Sequence, residues 1–103
     1  MGATAQALGA AVHETYEYDE DGNLLTPNFY DYHVPHALDM PPLSTGYVET
    51  ASPFTPLGTK GMGEGGGAGI HAVCAAIQDA TGKKVTSSHN PYQRVWHLLQ
   101  ERP

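Results

Sequence analysis

Residues 57–69 read Leu-Gly-Thr-Lys-Gly-Met-Gly-Glu-Gly-Gly-Gly-Ala-Gly, and no other stretch limits the fold as sharply. Five glycines fall within residues 61–67. Glycine inside a helix or strand costs roughly 0.5–1 kcal/mol against alanine, so the run predicts a loop. A helix is predicted directly after it, over residues 69–81. There Ile70, Val73, Cys74, Ile77 and Ala80 form one apolar stripe, and Gly82 stands where a left-handed C-terminal cap belongs. Bare backbone N–H groups ahead of a helix suit an anion or a developing negative charge, because the helix start carries partial positive charge.

The rest of the chain surrounds this loop with short elements. Residues 3–14 predict a helix, with Ala3, Ala7, Leu8, Ala11 and Val12 sharing a side. Tyr16 and Tyr18 alternate with Thr15 and Glu17, Asp19 to Asn23 is turn chemistry, and Leu24-Leu25-Thr26 returns, which predicts a β-hairpin. Residues 27–45 contain four prolines among Phe29, Tyr30, Tyr32, Val34, Leu38 and Met40, too apolar for a free tether. They predict an ordered, extended crossing. Residues 46–51 predict a further strand, ended by Pro53. Asn90 is placed as an N-cap with Pro91 at the first helical position and Gln93 at the third, opening a last helix that packs Tyr92, Val95, Trp96 and Leu99. The predicted fold class is α+β: about three helices, a β-hairpin and extended Pro/Gly-rich segments in a single unit, residues 1–103. So little core leaves no room for a large enclosed substrate cavity.

Charge and composition exclude several classes. Five Lys or Arg against eleven Asp or Glu leave a net charge of -6 and no basic stripe, so nucleic acid is not an expected partner. No run reaches the roughly eighteen apolar residues of a membrane span. One cysteine, Cys74, cannot form an intrachain disulfide, and its place on the apolar stripe favours a packed small hydrophobe over a nucleophile. A cytoplasmic location is the expectation.

Several motifs are incomplete. Gly61-x-Gly63-x-x-Gly66 matches the dinucleotide fingerprint in form, but no apolar strand precedes it. Asp19-x-Asp21-x-Asn23 opens like a calcium loop, but Leu24 and Tyr30 stand where Gly and Glu are needed. His33 and His36 are separated by Pro35 with no evident partners, so no metal site is predicted there. His13, His71, His89 and His97 are scattered and read as surface or satisfied residues. Glu64, within the glycines, could serve as a general base. From its neighbours alone, an exposed acid in a flexible loop is the better account.

Four segments in order resemble the C-terminal part of the molybdenum hydroxylase large subunit, in the xanthine oxidase, aldehyde oxidase and carbon monoxide dehydrogenase superfamily. They are Gln6-Ala7-Leu8-Gly9-Ala10-Ala11 with His13-Glu14; Asp21-Gly22-Asn23 with Asn28 to Tyr32, Val34-Pro35 and Asp39-Met40-Pro41; Pro56 to Glu64 with Ala75 to Ala80; and Pro91 to Trp96. The resemblance implies hydroxylation of aldehydes or N-heterocycles, or oxidation of carbon monoxide, at a molybdenum held by a pterin dithiolene. It implies that Glu64 is the base acting on the metal-bound hydroxyl, and that Gln6 and Gly63 are cofactor-binding. The cofactor implied in the complete enzyme is molybdopterin, as its cytosine dinucleotide, with none held by this chain alone. The partners implied are the remainder of the molybdopterin-binding subunit and iron–sulfur and FAD subunits or domains.

The chain also departs from the family pattern. The family subunit is several times longer, so this chain is expected to be only its last part. Ala7 replaces the usual Gly after the family Gln. Gly65-Gly66-Gly67 replaces bulkier or Pro-containing versions, and the loop is closer to the carbon monoxide dehydrogenase-like branch. A competing expectation is an inactive module whose uncovered surfaces self-associate into a homo-oligomer.

Overall fold

In the computed structural model, which describes residues 1–100, the second half of the glycine run, from Gly65 on, belongs to a helix. Helix α1 spans Gly2–Leu8 and continues into a π-helical turn, Gly9–His13. Helix α2 spans Gly65–Thr81, four residues earlier at its start than the apolar stripe alone predicts. Helix α3 spans Tyr92–Gln100.

The early start of α2 has a packing cause. Gly65 and Gly69 lie one turn apart and face Ala3 and Ala7 of α1. A Cβ built on Gly69 would stand 2.6 Å from the Ala7 Cβ, and one on Gly65 would stand 3.6 Å from the Ala3 Cβ. At Gly69 only glycine lets the two backbones approach this closely, and the contact outweighs the helix cost of the glycines. At the other end Gly82 adopts φ 66° and its N–H reaches the Gln78 carbonyl, the left-handed cap read from the sequence.

The α+β expectation is overturned. Among the described residues the structure is helical, with no strand and no sheet. The two arms at residues 15–26 meet at one antiparallel bridge, Tyr18 with Leu24. Asp19 makes the turn, its carboxylate accepting from the Asn23 side chain (2.9 Å) and from the backbone N–H groups of Asp21 and Asn23. Pairing stops there because no third strand or apolar layer covers Tyr16 and Tyr18, and a lone two-stranded ribbon is marginal in water. The strand predicted at 46–51 is absent for the same reason: Tyr47 and Val48 project into solvent with nothing to pair against.

The crossing is irregular, with one 3-10 turn at Ala37–Asp39. It is tied to the helical part through Tyr32, whose hydroxyl donates to Glu14 (2.7 Å). The last helix starts at Tyr92, one residue later than predicted, and the Asn90 side chain turns to Ser87 and Cys74 instead of capping it. The Asn90 backbone N–H reaches the Ala11 carbonyl (2.6 Å), and its side-chain amide donates to the Ser87 carbonyl (2.7 Å) beside Cys74. His89 adds contacts to the Ala10 carbonyl and to Thr15. The start of α3 is thereby fastened to the π turn.

Candidate functional site

Glu64 occupies the N-cap position of α2, and no hydrogen bond from its side chain caps the helix. Its carbonyl accepts from Gly67 and the Met62 carbonyl from Gly65, both at 3.1 Å, so the first turn is tight and the carboxylate is left exposed. Gln6 reaches the same end from α1. A Cβ on Gly66 would collide with the Gln6 side chain, so Gln6 rests directly on the α2 backbone two residues from Glu64. Gly63 lies immediately before Glu64. The structure therefore brings Gln6 to the backbone just after Gly63 and Glu64, at the positive end of a 17-residue helix. A Cβ added to Gly61, Gly63 or Gly67 would meet nothing within 4 Å, so the glycine backbone here is open to a bulky group.

A second constellation was not legible in the sequence. An open cleft of about 610 Å³ is lined by His13, Thr15, Glu17, His33, Asp39 and Tyr92, among others. His33 Nε2 stands 3.3 Å from Asp39 Oδ2, and the His36 backbone N–H donates to the same oxygen at 2.7 Å. The His13 and His33 rings are 4.5 Å apart between centroids, and those of His33 and His36 are 4.9 Å apart. Partial burial holds the His13 pKa below its ordinary value, with the neighbouring His33 acting in the same direction. The hydrogen bond from the His36 backbone lowers that of Asp39. Pro35 excludes a regular helix here, as the sequence indicates, but the 3-10 turn returns Asp39 onto both histidines. His13 arrives from the distant π turn, which no spacing rule could reveal. The only local signal was His36-x-x-Asp39, which is a capping box in this structure.

Comparison with known proteins places these features in context. Residues 1–41 match the family description "Molybdopterin cofactor-binding domain". The chain is 40% identical over 94 residues to the 6-hydroxypseudooxynicotine dehydrogenase complex subunit gamma of Paenarthrobacter nicotinovorans, covering 88% of this chain and 12% of that protein. It is 36% identical over 80 residues to the carbon monoxide dehydrogenase large chain of Afipia carboxidovorans, covering 77% and 10%. The structure superposes on quinoline 2-oxidoreductase from Pseudomonas putida 86 with a TM-score of 0.77 at 34% identity, covering 99% of this chain and 14% of that one. The chain thus spans roughly an eighth of the length of these relatives.

The α2 end has the charge and the room for an anionic, bulky group. The phosphate-bearing pterin is anionic and bulky, and it needs a positive, side-chain-free approach. The open backbone at Gly61, Gly63 and Gly67 offers that approach, and the Gln6 amide offers both donors and an acceptor beside it.

Proposed function

Because this chain belongs to the xanthine oxidase family of molybdenum hydroxylases, as a segment of their molybdopterin-binding large subunit, we propose that it contributes the general base to the complete enzyme. Glu64 is that base. Its carboxylate takes up the proton released as the oxygen nucleophile attacks the carbon of an aldehyde, an N-heterocycle or carbon monoxide. The molybdenum–pterin group, when bound, supplies the two-electron redox chemistry. Gln6 orients that group through its side-chain amide, and Gly63 lets it approach the backbone. The observation that carries this reading is the seat of Gln6 on Gly66, which sets two residues far apart in the sequence side by side at the start of α2.

The same proposal covers the finer points. Residues 1–103 act as a single unit of the cofactor-binding subunit. The cofactor is the cytosine dinucleotide form, electrons leave through iron–sulfur and FAD partners, and the assembly is cytoplasmic. Among the described residues, no helix is long and apolar enough to cross a membrane.

The test is Glu64→Gln in the assembled enzyme, with molybdenum content measured alongside turnover. The isosteric amide cannot take a proton. Turnover at saturating substrate is expected to fall by about 10²–10⁴ with molybdenum retained. Normal turnover would refute the assignment.

One observation favours a second reading, an inactive module that self-associates: Tyr30, Leu38, Tyr47 and Phe54 are each more than 90% exposed. Sedimentation of the chain alone separates the two. A concentration-dependent oligomer that persists beside the remainder of the large subunit supports self-association, and a monomer that joins that remainder supports the enzyme.

A further inference from the structure

The cluster of His13, His33 and Asp39 lies apart from the α2 end and is not used by the proposed chemistry. One nitrogen from each imidazole and one carboxylate oxygen all lie within 4.8 Å of one another. Two imidazoles and a carboxylate form a three-ligand set that zinc accepts, with the fourth position left for water or another donor. We propose that these three residues bind one divalent transition-metal ion of the zinc class, which staples the π turn to the crossing.

The geometry is close to what the ion requires. Zinc–nitrogen and zinc–oxygen bonds of about 2.0–2.2 Å set tetrahedral ligand separations of roughly 3.3–3.6 Å. The His33 Nε2 to Asp39 Oδ2 edge, at 3.3 Å, already has that length. The edges to His13 close by rotation of half-exposed rings, which also leaves the ion a path from solvent.

The backbone beside each ligand is secured. The Tyr32–Glu14 hydrogen bond joins the residue before His33 to the residue after His13. The His36 N–H fixes the Asp39 carboxylate, the kind of outer contact that orients a metal-bound carboxylate. The His36 ring, 3.7 Å from the same oxygen, and the Tyr92 hydroxyl, 3.5 Å from His13 Nε2, border the site.

Ligand type selects the ion. Two imidazoles disfavour magnesium and calcium, which take oxygen donors, and the lack of sulfur disfavours copper(I). An imidazole nitrogen must be free of its proton to bind the ion, so binding weakens in acid.

The experiment uses the tag-free chain, stripped with chelator and titrated with zinc chloride by calorimetry. One ion per chain is expected. His33→Ala and Asp39→Asn are each expected to weaken binding at least tenfold, and His71→Ala to leave it unchanged. A variant that loses its helical circular dichroism is set aside. The unaltered chain then decides by the ring-proton resonances of its histidines: zinc is expected to shift those of His13 and His33 and not those of His71 and His97. No binding in excess zinc, equal binding by both ligand variants, or shifts confined to the other histidines would overturn the proposal.

Discussion

α1 and α2 press their smallest residues together, while the crossing at residues 27–45 holds most of its largest ones out. Ala7 and Ala11 are 1% and 0% exposed, whereas Tyr30 and Leu38 are 98% and 99% exposed. No large side chain among the described residues is fully buried. The radius of gyration, 17.3 Å, exceeds the roughly 13 Å of a compact chain of about 100 residues. The helical pair thus finds its packing partner within the chain, and the crossing does not. Apolar side chains held out in this way mark a surface made to be covered. This agrees with a chain that spans a small fraction of its relatives' length.

The contrast predicts unequal responses to substitution. The largest belongs to the helical pair. In Gly69→Leu the first added carbon alone meets Ala7, so α1 must be displaced. A loss of about 1–3 kcal/mol is expected, read as a lower midpoint in urea followed by circular dichroism. An unchanged midpoint would show that the close approach of α1 and α2 contributes little.

Next is the tie between the two regions. Tyr32→Phe removes a partly exposed hydrogen bond to Glu14 and is expected to cost about 0.5–1 kcal/mol. That bond also carries a pH signature. Accepting the hydroxyl proton at Glu14 pushes the Tyr32 pKa up to about 12. A raised pKa means that the folded chain favours the protonated phenol. The contribution is therefore complete below the ordinary tyrosine value near 10 and fades as pH rises toward 12. Thermal melts across that window should show a loss in the parent chain that Tyr32→Phe lacks.

The smallest effect is expected in the crossing. Leu38→Ser should change the stability of the chain alone by less than about 0.5 kcal/mol. The same substitution should weaken association with the remainder of the large subunit, measured by titration of one against the other. A large stability loss in the chain alone would mean that the crossing has a core of its own.

Local patterns were legible in the sequence and long-range ones were not. The stripe from Ile70 to Ala80 marked α2, and Gly82 marked its end, because both signals lie within one element. The glycines at 65–69 read as loop because the residues that make them fit a helix, Ala3 and Ala7, are far away in sequence. Tyr16 and Tyr18 alternate as a strand should, but strand formation depends on a neighbour to pair with and a layer to cover it. His33 and Asp39 appeared unrelated because only the 3-10 turn and the Tyr32–Glu14 tie bring them to His13. At the candidate site, Glu64 and Gln6 were singled out through family resemblance, while their adjacency at the α2 end emerged only from the fold.

The central claim is that this chain forms one wall of a molybdenum–pterin site that the rest of the large subunit completes. Molybdenum and pterin should therefore be assayed in the chain produced alone and in the chain produced with that remainder. The account predicts no bound molybdenum in the first and one equivalent in the second. Stoichiometric molybdenum in the chain alone, or none in the completed assembly, would contradict it.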